Sequence, residues 1–375
     1  MKQSAGFVDS HSHLRSTALA EHGVGGRCLE EAILRMNAMT PVDVEDDVFA
    51  ACCNLISTGV TAVQYMFHTF GSPSEYLEIL ERSLSGIRRS GIRAQVILGI
   101  TDQYEFIPQR LMHSINLPSF VSSGRKMNPS EFREIFESAH NQNPDINFGV
   151  GPVAPQWCSD EMLEAISEIA QREVRIHTHC LESESQRNWI TESPVERLSN
   201  FNLLGPRTSL AHGVWLNHTE LKKIHESGTH LVTCPKSNMF LNSGKADCDT
   251  WRKLEINVGV GLDSISGIEE PLKTAKLALA EESALHALTI GGSLSIGLDT
   301  SQDYVKWKDW ESSTAQQVSI SGKTVFKDGL HIRHDELVAA QGRVRRTILQ
   351  DTEKRNSRHL SLDKIMNIYL ESVRS

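Results

Sequence analysis

The chain of 375 residues has a hydrophobic content of 39%, which is enough to bury one large core. It carries 38 Lys and Arg against 47 Asp and Glu, so its formal net charge is −9. This balance excludes the strongly basic surface that nucleic acids or anionic membranes attract, and the expected partner is a small-molecule substrate.

The seven cysteines are scattered along the chain, and no CxxC pair occurs among them. An odd number of cysteines argues against a disulfide framework and favours a reducing compartment. The N-terminus lacks the profile of a signal peptide, and no apolar run is long enough for a membrane span. We therefore expect a cytoplasmic protein without a membrane partner.

Short apolar runs alternate with amphipathic stretches along most of the chain. Eight short runs are mainly apolar and do not alternate, as is typical of parallel strands covered by helices. They are Phe7–Asp9, Val60–Phe67, Arg93–Leu98, Asn147–Val153, Val174–Thr178, Thr208–Ala211, His230–Cys234 and Asn257–Leu262. Eight βα units predict an α/β fold, the (β/α)8 TIM barrel. An open doubly wound sheet is the alternative, but polar residues gather at the ends of the first and eighth runs, which are neighbours only in a closed sheet.

Helix-start signals recur between these runs. Each consists of a capping side chain followed by a proline at the first helical position. The pairs are Thr40-Pro41, Ser72-Pro73, Asn128-Pro129 and Ser193-Pro194. A glutamate lies three residues after each of the last three caps, as in a capping box. These signals place a helix after each of several predicted strands.

The pattern changes after the eighth strand. Helices are predicted at Glu269–Leu288, Asp335–Leu349 and Ser361–Val373. Val318–Gly329 predicts a strand–turn–strand unit, and the polar segment 351–359 is expected to join the last two helices. We therefore divide the chain into a barrel at 1–298 and an appendage at 299–375, made of residual β-sandwich strands and C-terminal helices.

The predicted strand ends carry side chains that can bind a metal or transfer protons. In chain order they are His11, His13, His179, Glu182, His212 and Asp263. A single His-x-His pair is a weak signal in a chain with 16 histidines. The signal is stronger here because three later strand ends also carry side chains that can bind a metal or transfer protons. Three imidazoles and one carboxylate suit one divalent metal with a position open for water. The remaining Glu and His would then handle protons.

Five motifs resemble those of the amidohydrolase superfamily, most closely its mononuclear branch. That branch contains cytosine deaminase, S-adenosylhomocysteine deaminase, guanine deaminase and the s-triazine hydrolases. The motifs are GFVDSHSHL, HTHCLES, LAHGVWL, TCPKSNMFL and VGVGLDS. The resemblance extends from about Gly6 to Leu298, and it implies a metal-dependent hydrolase.

The resemblance also implies a role for each matched residue. The metal ligands would be His11, His13, His179 and Asp263. Catalysis would fall to Glu182, His212 and Asp263. His177 would be a neighbour of the ligands, and Asn238 would line the substrate pocket.

A single metal is expected because the fourth strand, GVGPVAPQW, has no lysine. Binuclear members of the superfamily bridge two metals with a carbamylated lysine at that strand. Zinc is the first choice and ferrous iron the second, because both suit three imidazoles and a carboxylate.

Further pocket residues are expected on the loops that follow the strands. His68 ends the second strand, and Gln156 and Trp157 follow the fourth, where an indole would stack on a planar heterocycle. The long first loop, Leu14–Cys28, is a candidate flap. Arg15 in this loop is expected to be an exposed charge.

These residues favour hydrolytic deamination of an amidine-like carbon in a nitrogen heterocycle or guanidine compound, with release of ammonia. Asp263 would accept a proton from water, Glu182 would protonate the substrate, and His212 would stabilise the tetrahedral intermediate. The first alternative is dechlorination or N-dealkylation of a triazine-like ring. The second is a catalytically inactive barrel that acts as a scaffold.

The chain departs from the family before the first strand, because only six residues precede Phe7. Family members begin with strands that build half of a small β-sandwich. The strand–turn–strand unit is therefore expected to have unpaired edges, which another subunit or the C-terminal helices would cover. This motivates the prediction of a homodimer, while a mis-assigned start codon would explain the departure equally well.

Overall fold

The computed structural model describes residues 2–25, 27–103, 117–121, 127–311 and 313–374, with the backbone alone for 369–374. The described residues contain two β-sheets, one of eight strands and one of five. Strand β1 (Lys2–Ala5) belongs to the smaller sheet.

The larger sheet is parallel, and its strands follow one another in chain order. They are β2 (Phe7–Ser12), β3 (Val60–Phe67), β4 (Arg93–Ile100), β5 (Asn147–Pro152), β6 (Arg175–Cys180), β7 (Thr208–His212), β8 (His230–Thr233) and β9 (Val258–Val260). The last strand returns to the first, because the Asp263 amide donates to the His11 carbonyl at 3.0 Å. The Leu262 amide donates to the Asp9 carboxylate at 2.9 Å beside it. The predicted (β/α)8 barrel is confirmed.

Helices surround this barrel. They are α1 (Leu29–Met36), α2 (Val44–Ser57), α3 (Pro73–Ser90), α4 (Pro129–Gln142), α5 (Asp160–Ala170), α6 (Glu184–Trp189), α7 (Pro194–Asn200), α8 (His218–Ser227), α9 (Pro235–Phe240), α10 (Cys248–Lys253), α11 (Pro271–Lys276), α12 (Glu281–Leu288), α13 (Ile290–Ile296), α14 (His334–Gln350) and α15 (Thr352–Arg374). Two short 3-10 helices lie at Leu19–His22 and Pro155–Trp157. Over the described ranges, none of these helices is both long and apolar enough to cross a membrane.

Three of the four predicted helix caps are confirmed. The side chains of Ser72, Asn128 and Ser193 each accept a hydrogen bond from the amide three residues later. The fourth is wrong, because α2 begins at Val44 and Asp43 caps it. Thr40 instead accepts a hydrogen bond from Arg355 at 2.9 Å.

The prediction of a single long helix at Glu269–Leu288 is also wrong, because the chain turns between α11 and α12. Buried Leu279 and Ala284 are five residues apart, whereas a helix would bring a residue three or four positions on to the same face. Those positions hold Glu282 and Ser283. A break in the helix therefore lets both apolar groups face the barrel.

The smaller sheet is antiparallel, with the order β1, β10 (Tyr304–Asp309), β11 (Thr314–Ile320), β12 (Lys323–Lys327) and β13 (Leu330–His331). The predicted strand–turn–strand unit is confirmed as β11 and β12. The sequence prediction did not include β1, β10 and β13. Trp307 of β10 joins this sheet to the barrel by packing on Phe7, with ring centroids 5.1 Å apart.

The two C-terminal helices pack on the loop side and the flank of the barrel. Helix α14 pairs with α2 through Arg343 and Asp46, whose closest atoms lie 2.6 Å apart. The segment 351–359, predicted to be a linker, is part of α15 from Thr352 onward. The Arg358–Asp351 ion pair, at 2.5 Å, stabilises this first part of the helix.

Candidate active site

The backbone of the predicted site is sharply turned where the strands end. The φ angles are 70° at His212, 60° at Asp263 and 55° at Ser264. Left-handed conformations of this kind cost on the order of 1–3 kcal/mol for residues other than glycine, and they cluster at functional sites. The strained turns therefore mark the C-terminal mouth of the barrel, where TIM barrels carry their active sites.

Four predicted ligands meet at this mouth. His11 lies near the end of β2 and His13 directly follows the strand, so residues two apart in extended backbone turn to one face. The His13 Nε2 atom lies 3.3 Å from His179 Nε2. The Asp263 Oδ1 atom lies 3.4 Å from His11 Nε2 and 3.5 Å from His13 Nε2.

These separations fit a single ion. Ligands bound to zinc at about 2.1 Å in a tetrahedron are themselves about 3.4 Å apart. The buried Nε2 atom of His11 has no hydrogen-bond partner among the described residues, as a nitrogen reserved for a metal requires. The donor set of three imidazoles and one carboxylate therefore fits one divalent cation.

Hydrogen bonds on the far side of each imidazole fix its orientation. The His179 Nδ1–H donates to the Val153 carbonyl at 2.7 Å, and the His13 Nδ1–H donates to the Met66 carbonyl at 3.2 Å. The His11 Nδ1–H donates to His177 at 2.8 Å. Each Nε2 lone pair is thereby directed to the centre of the site, the arrangement usual for metal-binding histidines.

The protonation states also suit metal binding. Burial lowers the pKa values of His13 and His179 well below the usual range, so both are neutral imidazoles. Burial alone would raise the pKa of Asp263, but the adjacent imidazoles of His11, His13 and His212 lower it well below the usual range. The site thus presents deprotonated ligands, which metal binding requires.

Cys234 lies close to this site without joining the ligand set. Its sulfur lies within 4.8 Å of ligand nitrogens of His11 and His212. Burial raises the pKa of the Cys234 thiol well above its usual value. The thiol stays protonated, and a protonated thiol is a poor ligand and a poor nucleophile.

Glu182 and His212 form a second pair beside the four ligands. The Glu182 Oε2 atom lies 3.5 Å from His212 Nε2, and both side chains are buried. The His212 Nδ1–H donates to the Asn238 amide oxygen at 2.9 Å, which leaves Nε2 as an acceptor toward the site.

The two members of this pair have pKa values shifted in opposite directions. Burial raises the pKa of Glu182 well above its usual value, and the negative charges of Asp263 and Glu30 add to the effect. Burial lowers the pKa of His212 to about 4. Glu182 therefore tends to hold a proton while His212 remains neutral, which equips them to donate and accept hydrogen bonds, respectively.

A cavity of about 340 Å³ opens onto both groups of residues. Its lining includes two of the four predicted substrate contacts, His68 and Trp157. Gln156 and Asn238 are not part of the described lining, and Asn238 lies behind His212.

Two features of the cavity wall were not predicted. Leu29, Ile33 and Met36 of α1 line the cavity, and their spacing is the helical stripe that could have identified them. Arg15 was predicted to be exposed, but it also lines the cavity and is only partly exposed. Burial lowers the pKa of Arg15, while nearby carboxylates act against that shift.

The sequence of this chain is similar to those of a known family and of named relatives. The profile described as "Amidohydrolase family" matches residues 4–302. The 5'-deoxyadenosine deaminase of Methanosphaera stadtmanae is 28% identical over 275 residues, which cover 70% of this chain and 58% of that relative. The aligned part thus spans little more than half of the relative.

Two solved structures share the fold. An adenosine deaminase from Xanthomonas campestris with bound zinc has a TM-score of 0.73 at 19% identity, covering 93% of this chain and 86% of that one. Atrazine chlorohydrolase TrzN from Arthrobacter aurescens TC1, complexed with zinc, has a TM-score of 0.72 at 15% identity, covering 92% and 88%. At these identities the likeness concerns the fold alone.

Proposed function

Because the chain belongs to the amidohydrolase family, we propose that it is a metal-dependent hydrolase that deaminates a nitrogen heterocycle or guanidine compound and releases ammonia. One observation carries the proposal: a donor set for one cation and the Glu182–His212 pair open onto the same cavity. The deaminase named among its relatives supports the choice of leaving group.

The metal would be held by His11, His13, His179 and Asp263, whose donor atoms have the separations given above. Zinc is our first choice and ferrous iron the second. A divalent ion supplies Lewis acidity, which lowers the pKa of water from about 15.7 to about 7.

The residues of the chain would then carry the protons. Asp263 accepts a proton from the attacking water, and His212 Nε2 accepts a hydrogen bond from the same oxygen. Glu182 protonates the ring nitrogen next to the reacting carbon, which makes that carbon electrophilic. After water has added, the departing amino group would take up the proton held by Asp263 and leave as ammonia. The hydroxyl proton would return to Glu182 as the carbonyl forms on the ring. Each positioned acid or base contributes about 10²–10⁴-fold to the rate.

Trp157 and His68 are the proposed contacts to the planar ring, because both line the cavity. Trp157 would stack on the ring face. Asn238 would act on the substrate through His212, to which it is hydrogen-bonded. Gln156 remains a proposed contact, because its buried amide atoms have no partner among the described residues.

The experiment is a screen of amino-substituted heterocycles and guanidines with protein of measured metal content. Ammonia, alkylamine and chloride are quantified in parallel. The proposal expects ammonia, and it expects release to stop after chelation and to resume when zinc is restored. Release of chloride or alkylamine alone would favour the triazine-type reaction. No product from any compound would favour an inactive scaffold.

We also propose that the protein is cytoplasmic and forms a homodimer, and that the barrel ends near residue 298. All seven cysteines are free, which suits a reducing compartment.

The homodimer is supported by an exposed apolar surface around β13 and α14. It contains Leu330, Ile332 and Val338, and exposed apolar surfaces of this kind often form protein contacts. Light scattering at micromolar concentration tests the assembly, and a monomer mass would contradict it.

A further inference from the structure

The lining of the candidate cavity has two chemically different parts. Three of the proposed ligands and the Glu182–His212 pair form the polar part. The apolar part is a wall whose side chains belong to one apolar cluster: Leu19, Leu29, Ile33, Met36, Leu241 and Ile265. A substrate that filled the cavity would therefore place a polar group at the barrel mouth and an apolar group against this wall.

Helix α1 supplies the central part of the apolar wall, and Ile33 is its most connected residue. Ile33 packs against three separate apolar clusters. One of these clusters contains Trp157 of the barrel, together with Val153. Ile33 therefore packs against the cluster that contains the indole proposed to stack on the ring, so a ring substituent directed toward α1 would meet it.

The wall is held from outside by α15. The Arg358 guanidinium donates to the carbonyls of Ala38 and Met39 at 3.1 and 3.2 Å. Arg35 of α1 pairs with Asp363 at 3.0 Å. Leu34 is buried among apolar side chains of α15. A helix fixed on its outer face presents a defined inner surface, and a defined surface can discriminate between substrates.

Arg15 is a cation in the described part of the cavity lining, and nearby carboxylates offset its charge. The carboxylates of Asp47 and Asp263 both act on it electrostatically. Asp47 is kept close by accepting hydrogen bonds from the amide and hydroxyl of Ser16, at 2.9 and 2.5 Å. The six side chains of the apolar wall carry no charge, so this wall favours an uncharged group over an acidic one.

We infer that α1 is the specificity wall of the site and that the substrate is a planar heterocycle bearing an apolar substituent, which packs against Leu29, Ile33 and Met36. This inference rests on the proposed function for the orientation of the ring. It adds the chemical class of the group at the other end of the substrate.

The test uses adenine, 9-methyladenine, 9-butyladenine and a 9-carboxypropyl analogue of similar length. Ammonia release gives kcat/KM, and calorimetry on the zinc-loaded Glu182→Gln variant gives affinity independently of turnover. We expect kcat/KM to rise about 10-fold or more from adenine to 9-butyladenine, since one methylene in an apolar pocket is worth about 10–200-fold. The carboxylate analogue should bind more weakly than the butyl compound.

Variants of Ile33 connect the preference to the wall. Ile33→Ala should lower the ratio of kcat/KM for 9-butyladenine to kcat/KM for adenine, because it removes most of the gain from the butyl group. Ile33→Phe, which fills the same space, should exclude the butyl compound. The matched control is Leu360→Ala, because Leu360 on α15 is 70% exposed and should leave the series unaffected.

The outcomes separate this inference from the proposed function. Alkyl-dependent affinity that follows Ile33, without ammonia from any compound, would support the wall and contradict deamination. Ammonia release at equal rates across the series would support deamination and overturn the wall. Preference for the carboxylate analogue, or no binding of any member, would also overturn the inference.

Discussion

Glu182 and His212 are neighbours whose environment acts on their protonation in opposite directions. Burial raises the pKa of Glu182 and lowers that of His212 to about 4. An acid that holds its proton therefore lies 3.5 Å from an imidazole that does not. Such a divergence between adjacent groups is how active sites assign acid and base roles.

The first prediction concerns Glu182. Glu182→Gln keeps the shape of the side chain but cannot transfer a proton, so kcat should fall about 10²–10⁴-fold. Metal content measured by mass spectrometry should stay at the wild-type value, because Glu182 is not one of the four proposed ligands. The control is Glu226→Gln on the exposed surface. Wild-type turnover in Glu182→Gln would remove Glu182 from the mechanism.

His177 supports the metal site without facing the cavity. Its Nε2 accepts the hydrogen bond from His11, and its Nδ1 lies 2.8 Å from the Ser209 hydroxyl. His177→Ala should weaken metal binding about 10–100-fold, as loss of such outer partners typically does. Competition with a chelator measures the affinity, and His286→Ala on the surface is the control. Unchanged affinity would show that His11 orients itself without this contact.

The pH profile should depend on Glu30. The negative charge of Glu30 contributes to the raised pKa of Glu182, after burial and Asp263. The protonated form of Glu182 is the proposed acid, so activity should fall as the pH rises through that pKa. Glu30→Gln removes the charge, lowers the pKa of Glu182 and should move the alkaline limb of kcat/KM to lower pH.

The control for this profile is Glu31→Gln in the same turn of α1. Glu31 is paired with Arg27 and Arg35 and does not act on Glu182. Its neutralisation should leave the alkaline limb in place. A limb that stays fixed in Glu30→Gln, or moves upward, would contradict the assignment of Glu182 as the acid.

Helices α1 and α15 form a unit outside the barrel. Arg358 of α15 satisfies two carbonyls that follow α1, and Arg355 bonds Thr40 a little further on. The His359 Nε2–H donates to the His22 carbonyl at 2.7 Å. The C-terminal helix therefore holds the segment between β2 and α2 at His22 and at the residues that follow α1.

Removal of one of these contacts should affect substrate binding more than chemistry. Arg358→Ala leaves two carbonyls unsatisfied and should cost about 1–3 kcal/mol of stability. A loosened α1 should raise KM severalfold, while kcat at saturation stays within about twofold. Thermal unfolding and steady-state kinetics measure both effects. Lys354→Ala, at an exposed position of the same helix, is the control, and an equal fall in kcat would contradict this role.

The barrel strands were predictable because each coincides with a short, mainly apolar run that does not alternate. The strand ends were predictable as well, because the C-terminal ends of parallel strands meet at one mouth. His11 and Asp263 lie far apart in sequence but close together at the closure of the sheet. Their adjacency follows from the topology alone, without any knowledge of side-chain contacts.

The remaining parts depend on contacts that local sequence does not encode. Lys2–Ala5 is polar and becomes a strand only because β10 pairs with it. The polar segment 351–359 has the composition of a linker, and it is helical where its arginines bond Thr40 and the carbonyls after α1. The prediction that Arg15 is exposed is wrong. Its partly enclosed position depends on the cavity wall around it, which the local sequence does not reveal.

The central claim is that His11, His13, His179 and Asp263 bind one divalent ion at the mouth of the barrel. The direct measurement is anomalous diffraction at the zinc edge from crystals of the zinc-loaded protein. The account predicts a single peak about 2.0–2.2 Å from the three Nε2 atoms and the Asp263 carboxylate. A map without a peak at that position, or with zinc bound only elsewhere, would contradict it.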